Sequence, residues 1–226
     1  MDVLEKPTRR PHRVVSTGAF ILLVGAFILF LLVAISLPIL KPVYLVAVNA
    51  ISEDVPTSIA TELRFGVWGV CASSVLNQPT WYTNNGVCYG PMLGYTIPPE
   101  YASLAGVSPI LLTAVEKSLL VVLILHPIAA ALSFFGFILS WFLGPHGIAI
   151  TTLLASIFAG IVGTIVLAID LALVLVIRKK LVNELPYHFE VVFGPGVWMV
   201  LAAVVMNWLA VVFLAARACY CCGVRK

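Results

Sequence analysis

Residues 148 to 177 read IAITTLLASIFAGIVGTIVLAIDLALVLVI, a run of 30 residues with one ionisable side chain, Asp170. At 1.5 Å per residue such a helix reaches about 45 Å, past a hydrocarbon core of roughly 30 Å. The run therefore has to tilt, or to project into the connection that follows it. Within it Thr152, Ser156, Gly160, Thr164 and Ala168 recur at every fourth position, with Ala155, Ala159 and Gly163 beside them. Small side chains at this spacing allow close helix approach, either inside one bundle or between subunits.

Three more runs of membrane-crossing length occur, at 17–40, 118–143 and 197–216. The whole chain agrees with them: of 226 residues 62% are hydrophobic and 10% charged, and the mean hydropathy is +1.09. That balance excludes an ordinary soluble globule. The net charge of +3 is too small and too scattered for a nucleic-acid partner. The first run is longer than a signal-peptide core and lacks a small-x-small cleavage pattern after Pro38, so it reads as an uncleaved span. The expected organisation is a cytosolic N-terminus at 1–16, a four-span domain at 17–216 with an outer loop at 41–117, and a cytosolic Cys-rich tail at 217–226.

Orientation rests on two signals. The run Arg9-Arg10-Pro11-His12-Arg13 outweighs Lys41 across the first span, which places both termini in the cytosol. Two of the five cysteines, Cys71 and Cys88, lie in the long loop, where a disulfide persists only on the oxidising face. The basic run Arg178-Lys179-Lys180 then falls outside, which suits a third helix that carries it away from the membrane surface.

In that loop Leu63, Phe65 and Val67 alternate as in a strand until the glycines of Gly66-Val67-Trp68-Gly69-Val70-Cys71 break the pattern. Before Cys88 stands Asn84-Asn85-Gly86, a hairpin signal, because the central positions of a type I′ turn need positive φ. A small antiparallel sheet stapled by Cys71 and Cys88 is expected, with two free thiols in a flexible loop as the alternative. No Asn-x-Ser/Thr sequon occurs in the loop, so no N-glycan is expected there.

These residues carry a resemblance. Gly66-Val67-Trp68-Gly69-Val70-Cys71, followed by a second cysteine after the first of four spans, resembles the loop signature of claudin-like four-span proteins, in which Gly66, Trp68 and Cys71 are the signature positions. Ser36-Leu37-Pro38-Ile39, Phe65 to Cys71, Leu93-Gly94-Tyr95, Leu125-His126-Pro127-Ile128-Ala129-Ala130 and Asp170 follow in the order seen in the fungal PalI family, of pH-response regulator type. The resemblance covers residues 17 to 216. It implies a claudin-like fold: an all-α membrane protein, a four-transmembrane-helix bundle with a small disulfide-stapled β-sheet in the first extracellular loop. It also implies a fungal plasma-membrane protein, an accessory of an ambient-pH sensing complex. The cysteine spacing is wider than in claudins and no tryptophan precedes Trp68, so junctional pairing is not implied. The chain ends ten residues after Ala216, without the long hydrophilic tail of many PalI proteins, and a role that depends on such a tail is not expected.

Inside the spans, ionisable residues are costly and mark sites by default. Counted from the outer end of each run, His126, Asp170 and Asn207 lie about 12, 10 and 15 Å deep, so an intramembrane polar cluster of the three is expected. It serves either as an interhelical hydrogen-bonded clasp or as a pH-responsive pair, since histidine titrates nearest neutrality. Pro127 removes a backbone donor beside His126. At the inner interface Cys219, Cys221 and Cys222 are candidate palmitoylation sites, with unmodified thiols as the alternative.

No His-x-x-x-His pair, nucleophile elbow or phosphate-binding glycine loop occurs, so neither catalysis nor a metal or cofactor is expected. The remaining class is a non-enzymatic plasma-membrane interaction or scaffold protein. Its expected partners are the lipid bilayer and another membrane protein, a pH-sensor complex being the candidate. The alternatives are a self-assembling organiser of plasma-membrane domains or cell-wall contact, built as a homo-oligomer, and a proton or small-ion carrier using His126 and Asp170.

Overall fold

A computed structural model describes residues 10–37, 39–50, 62–73, 87–91, 109–142, 146–184 and 189–221. Helix α1 is Arg10–Ala34, α2 Pro109–Trp141, α3 His146–Glu184 and α4 Pro195–Cys221. Each contains a stretch long and apolar enough to cross a membrane: Val15–Ala34, Leu123–Trp141, Gly147–Lys179 and Pro195–Ala218. The helices pack antiparallel in a ring, α1 on α2, α2 on α3, α3 on α4, and α4 back on α1.

Five strands sit on one end of this ring: β1 Val46–Ala50, β2 Glu62–Phe65, β3 Val70–Ser73, β4 Val87–Tyr89 and β5 Phe189–Phe193. They form one antiparallel sheet in the order β4-β3-β2-β1-β5. A small antiparallel sheet closed by a Cys71–Cys88 disulfide is present as expected. Its fifth strand is an addition to the first-loop sheet read from sequence, because β5 comes from the connection between α3 and α4 and pairs with β1 from Val46↔Phe193 to Ala50↔Phe189. The Asn84-Asn85-Gly86 turn and Leu93-Gly94-Tyr95 lie outside the described residues.

Each helix end has a local cause. The first span, read to residue 40, is helical only to Ala34. Pro38 has no N–H to give the Ala34 carbonyl, and its ring disfavours helix in the residue before it. The chain turns instead, with Ser36 N bonded to Val33 O at 3.0 Å and Leu37 N to Val43 O at 3.1 Å. Helices α2 and α4 both begin on proline, at Pro109 and Pro195, where the missing N–H has no intrahelical acceptor to lose. Helix α2 thus starts nine residues before the apolar run read at 118, and α3 continues past Ile177 to Glu184, projecting beyond the apolar run.

The core runs through the ring, with Phe30, Val33, Leu123, Ala129, Val166, Val174, Val200 and Ala203 buried. On α3 the buried positions Thr152, Ser156, Ala159, Val166, Asp170 and Val174 follow the helical period of 3.6. The fourfold row drifts off that face, so Thr164 and Ala168 are exposed while Gly160 and Gly163 point inward. A Cβ at Gly163 would lie 2.7 Å from the Phe30 ring and 3.2 Å from Val204. The small residues of α3 therefore serve its own bundle, by letting α4 and Phe30 of α1 come close.

Candidate functional site

The sheet is fastened to the bundle at the point where α1 ends. The Ala34 carbonyl, which Pro38 cannot satisfy, accepts the indole Nε1–H of Trp68. Two residues on, the buried Ser36 Oγ accepts the Val67 N–H at 2.9 Å, and Trp68 N donates to Leu37 O at 3.0 Å. Gly66 makes this approach possible: a Cβ there would overlap the Leu37 Cβ and lie 2.8 Å from its nitrogen. The loop signature Gly66, Trp68 and Cys71 thus has a structural meaning. Gly66 allows contact with the helix end, Trp68 closes its open carbonyl, and Cys71 starts the staple to Cys88, its direct cross-strand partner.

A second fastening joins β1 and β5 to α4. Gly194 N donates to Leu45 O at 2.8 Å and Gly196 N to Tyr44 O at 3.0 Å. The latter satisfies one of the N–H groups that a helix N-terminus leaves without an acceptor. On the outer part of the sheet Glu62 and Arg64 form an ion pair at 2.7 Å, and the Arg64 guanidinium lies 5.0 Å from the centre of the Tyr44 ring.

Beneath the first fastening lie His126 and Asp170, each 1% exposed, with His126 Nε2 3.2 Å from Asp170 Oδ2. They are the only ionisable side chains in the helical stretches 15–34, 120–141, 147–177 and 195–216, and the fold brings them together. Asp170 Oδ1 has no hydrogen-bond partner among the described residues. The pair is nearer the sheet than depth counting implies. Gly163 packs against Val204, and Asp170, two turns further along α3, is about 10 Å closer to the sheet. That sets it level with Val197, in the first turn of α4.

Asn207 does not join them, which corrects the expected cluster of three. Its Nδ2 donates to Ser156 O at 2.9 Å, and its amide lies over Gly160. These positions are about 15 to 20 Å from Asp170 along α3. Depth counted from each apolar edge supposes that all four runs start at one plane. Helices α2 and α3 extend well past the start of α4, so equal counts correspond to unequal heights. Asn207 is a separate clasp between α3 and α4, beside the bond from Trp208 Nε1 to Thr164 Oγ1 at 3.2 Å.

Cys219 and Cys221 fall in the last turn of α4, at the end of the bundle away from the sheet, and Cys222 lies outside the described residues. Among the described residues no three His, Cys, Asp or Glu side chains converge as metal ligands would. Ser36 is the site residue whose role sequence reading missed. The available signal was a hydroxyl two residues before Pro38, at a helix end that must find acceptors and donors outside its own ladder.

A four-span bundle, a disulfide-stapled sheet and the order of these motifs meet in one comparison: the model of the SUR7/PalI family matches residues 15–219. The chain belongs to the SUR7/PalI family. No curated protein matches it. The SUR7/PalI match takes in the membrane-crossing parts of all four helices, the whole sheet, the disulfide and the buried His126–Asp170 pair. Of the tail cysteines, Cys219 is the last matched residue, and Cys221 and Cys222 stand beyond it.

Proposed function

We propose that this SUR7/PalI family member is a non-enzymatic interaction protein of the plasma membrane, with both termini in the cytosol and the sheet outside the cell, where it meets a membrane-protein partner. One observation carries this reading: both sheet-side connections contribute to a single sheet, and that sheet is hydrogen-bonded to the ends of α1 and α4. A surface fixed in this way loses little conformational freedom on binding. The even number of helices puts both termini on one side, and the disulfide suits the sheet to the oxidising side. The test is purification from native membranes in mild detergent. A distinct membrane protein recovered at fixed stoichiometry supports the reading. Large assemblies of this chain alone support a self-assembling organiser of membrane domains instead, and a monomer with neither contradicts both.

The buried pair favours a second, finer reading, an accessory of an ambient-pH sensing complex. A proton taken up by His126 beside an Asp170 carboxylate turns a hydrogen bond that carries net negative charge into an ion pair of no net charge, and histidine is the side chain whose charge changes between about pH 5 and 8. Among the described residues, the charged side chains on that side of the bundle include Lys41, Glu62, Arg64, Glu190 on β5 and, on α3, Arg178 and Lys179. Partner binding that follows pH in the wild type and loses that dependence in Asp170→Asn supports the sensor. Binding that is independent of pH leaves a structural clasp.

A further inference from the structure

Between α1 and α2, next to the sheet, the two helices separate and leave a groove of about 400 Å³. Its floor is Ala34 and Ala130, side chains too short to close the space. Phe27 and Phe134, in ring contact at 5.1 Å, shut the end towards the bundle middle. Leu31 and Ile35 form one wall, Pro127 lies on the other side, and Trp68 roofs the end at the sheet. From Phe27 to Ile35 the groove runs about 12 Å, within the leaflet on the sheet side.

We propose that this groove is a lipid site, holding one acyl chain of a glycerophospholipid under the Trp68 indole. Three observations select that occupant. First, the groove opens sideways from a helix stretch that crosses the membrane, with Leu31, Ala131 and Phe134 exposed at its mouth, so lipid is the medium that meets it. Second, the side chains that line it are carbon throughout apart from the Trp68 Nε1–H, which the Ala34 carbonyl takes up, so the lining suits a hydrocarbon chain. Third, the N–H donors at the roof are already used. Trp68 Nε1–H is spent on Ala34 O, Ile35 N on Leu31 O, and Ile35 O accepts Leu40 N. The N–H donors among these are taken, while a hydrocarbon chain needs none.

The same arrangement gives Trp68 a second task. Its N–H holds the indole in place over the end of α1, and the ring becomes an apolar lid at the membrane surface, where tryptophan is at home because one part of it is apolar and one polar. Sites of this size between bundle helices, lined mostly by carbon, are where small apolar ligands bind.

The test places the full-length chain in phosphatidylcholine vesicles with a trace of phosphatidylcholine bearing a diazirine on one acyl chain. After illumination, peptides spanning 27–35 and 127–134 should carry at least five times the label of the exposed α3 face around Leu154, Phe158 and Ile161. Ala131→Trp fills the groove from its mouth and should bring that label down to the α3 level, with the Cys71–Cys88 bond intact. Leu31→Trp, from the opposite wall, should do the same and covers the case in which the first variant fails to fold. Even labelling of all lipid-facing helices, or enrichment that survives both variants, overturns the proposal. So does competition by added sterol with none by unlabelled phosphatidylcholine, or efficient copy-to-copy crosslinking of Ala131→Cys.

Discussion

His126 and Asp170 meet across α2 and α3 at 3.2 Å, with all other ionisable groups kept out of the spans. Removing one partner takes a buried polar contact from the other, which costs stability. Asp170→Asn is expected to lower stability in detergent by about 1–3 kcal/mol, and His126→Ala to add little once Asp170 is gone. A double-mutant cycle should return a coupling of about 1–2 kcal/mol, and additive losses would dismiss the pair as an energetic unit. The pair was legible because the one ionisable residue of a 30-residue run has few candidates to answer it. The position of Asn207 was not legible, because helix offsets depend on where loops fasten to the bundle. Trp68→Phe keeps the ring but loses the bond to Ala34 O, for which about 1 kcal/mol of stability is the expected loss. Gly66→Val should act more strongly, since its side chain meets the Leu37 backbone, and faster hydrogen exchange at Val67 and Trp68 would report the detached loop.

At the level of elements, four apolar runs and one strand-rich loop were readable because each has a local signal: length without charge for a span, alternation and turn residues for a strand. Strand β5, Phe189–Phe193, carries such a signal in Phe-Glu-Val-Val-Phe ahead of Gly194-Pro195. Its partner β1 stands at the far end of the chain, and pairing over that distance leaves no local mark. The end of α1 shows the same limit. Pro38 announces that the helix stops, but only the fold reveals that Trp68 takes up the carbonyl left open. Cys71→Ser with Cys88→Ser frees a small sheet that has no core of its own, and a loss of roughly 3 kcal/mol is expected. Thermal unfolding should then show the sheet melting ahead of a bundle whose helix content is unchanged, and simultaneous melting would contradict the separation. In native protein at least one of Cys219, Cys221 and Cys222 is expected to carry an acyl chain, and an intact mass equal to the bare chain would remove that modification.

For the whole molecule, two connections on one end of the bundle build a single sheet, while the long helix α3 rises beside it to Glu184. The consequence is a sheet hydrogen-bonded directly to the helix ends, which is the physical basis for proposing this SUR7/PalI family member as an interaction protein. Edge strand β5 turns Glu190 and Val192 outward, and Phe158 on α3 faces lipid from the middle of its helix. The most direct test puts a photo-crosslinking amino acid at Glu190, Val192 or Phe158 of the full chain in its native membrane. Illumination should yield a discrete adduct with another membrane protein from Glu190 or Val192, and none from Phe158. No protein adduct from either sheet position, or the same adduct from Phe158, would contradict the claim that the docked sheet is the surface through which this protein acts.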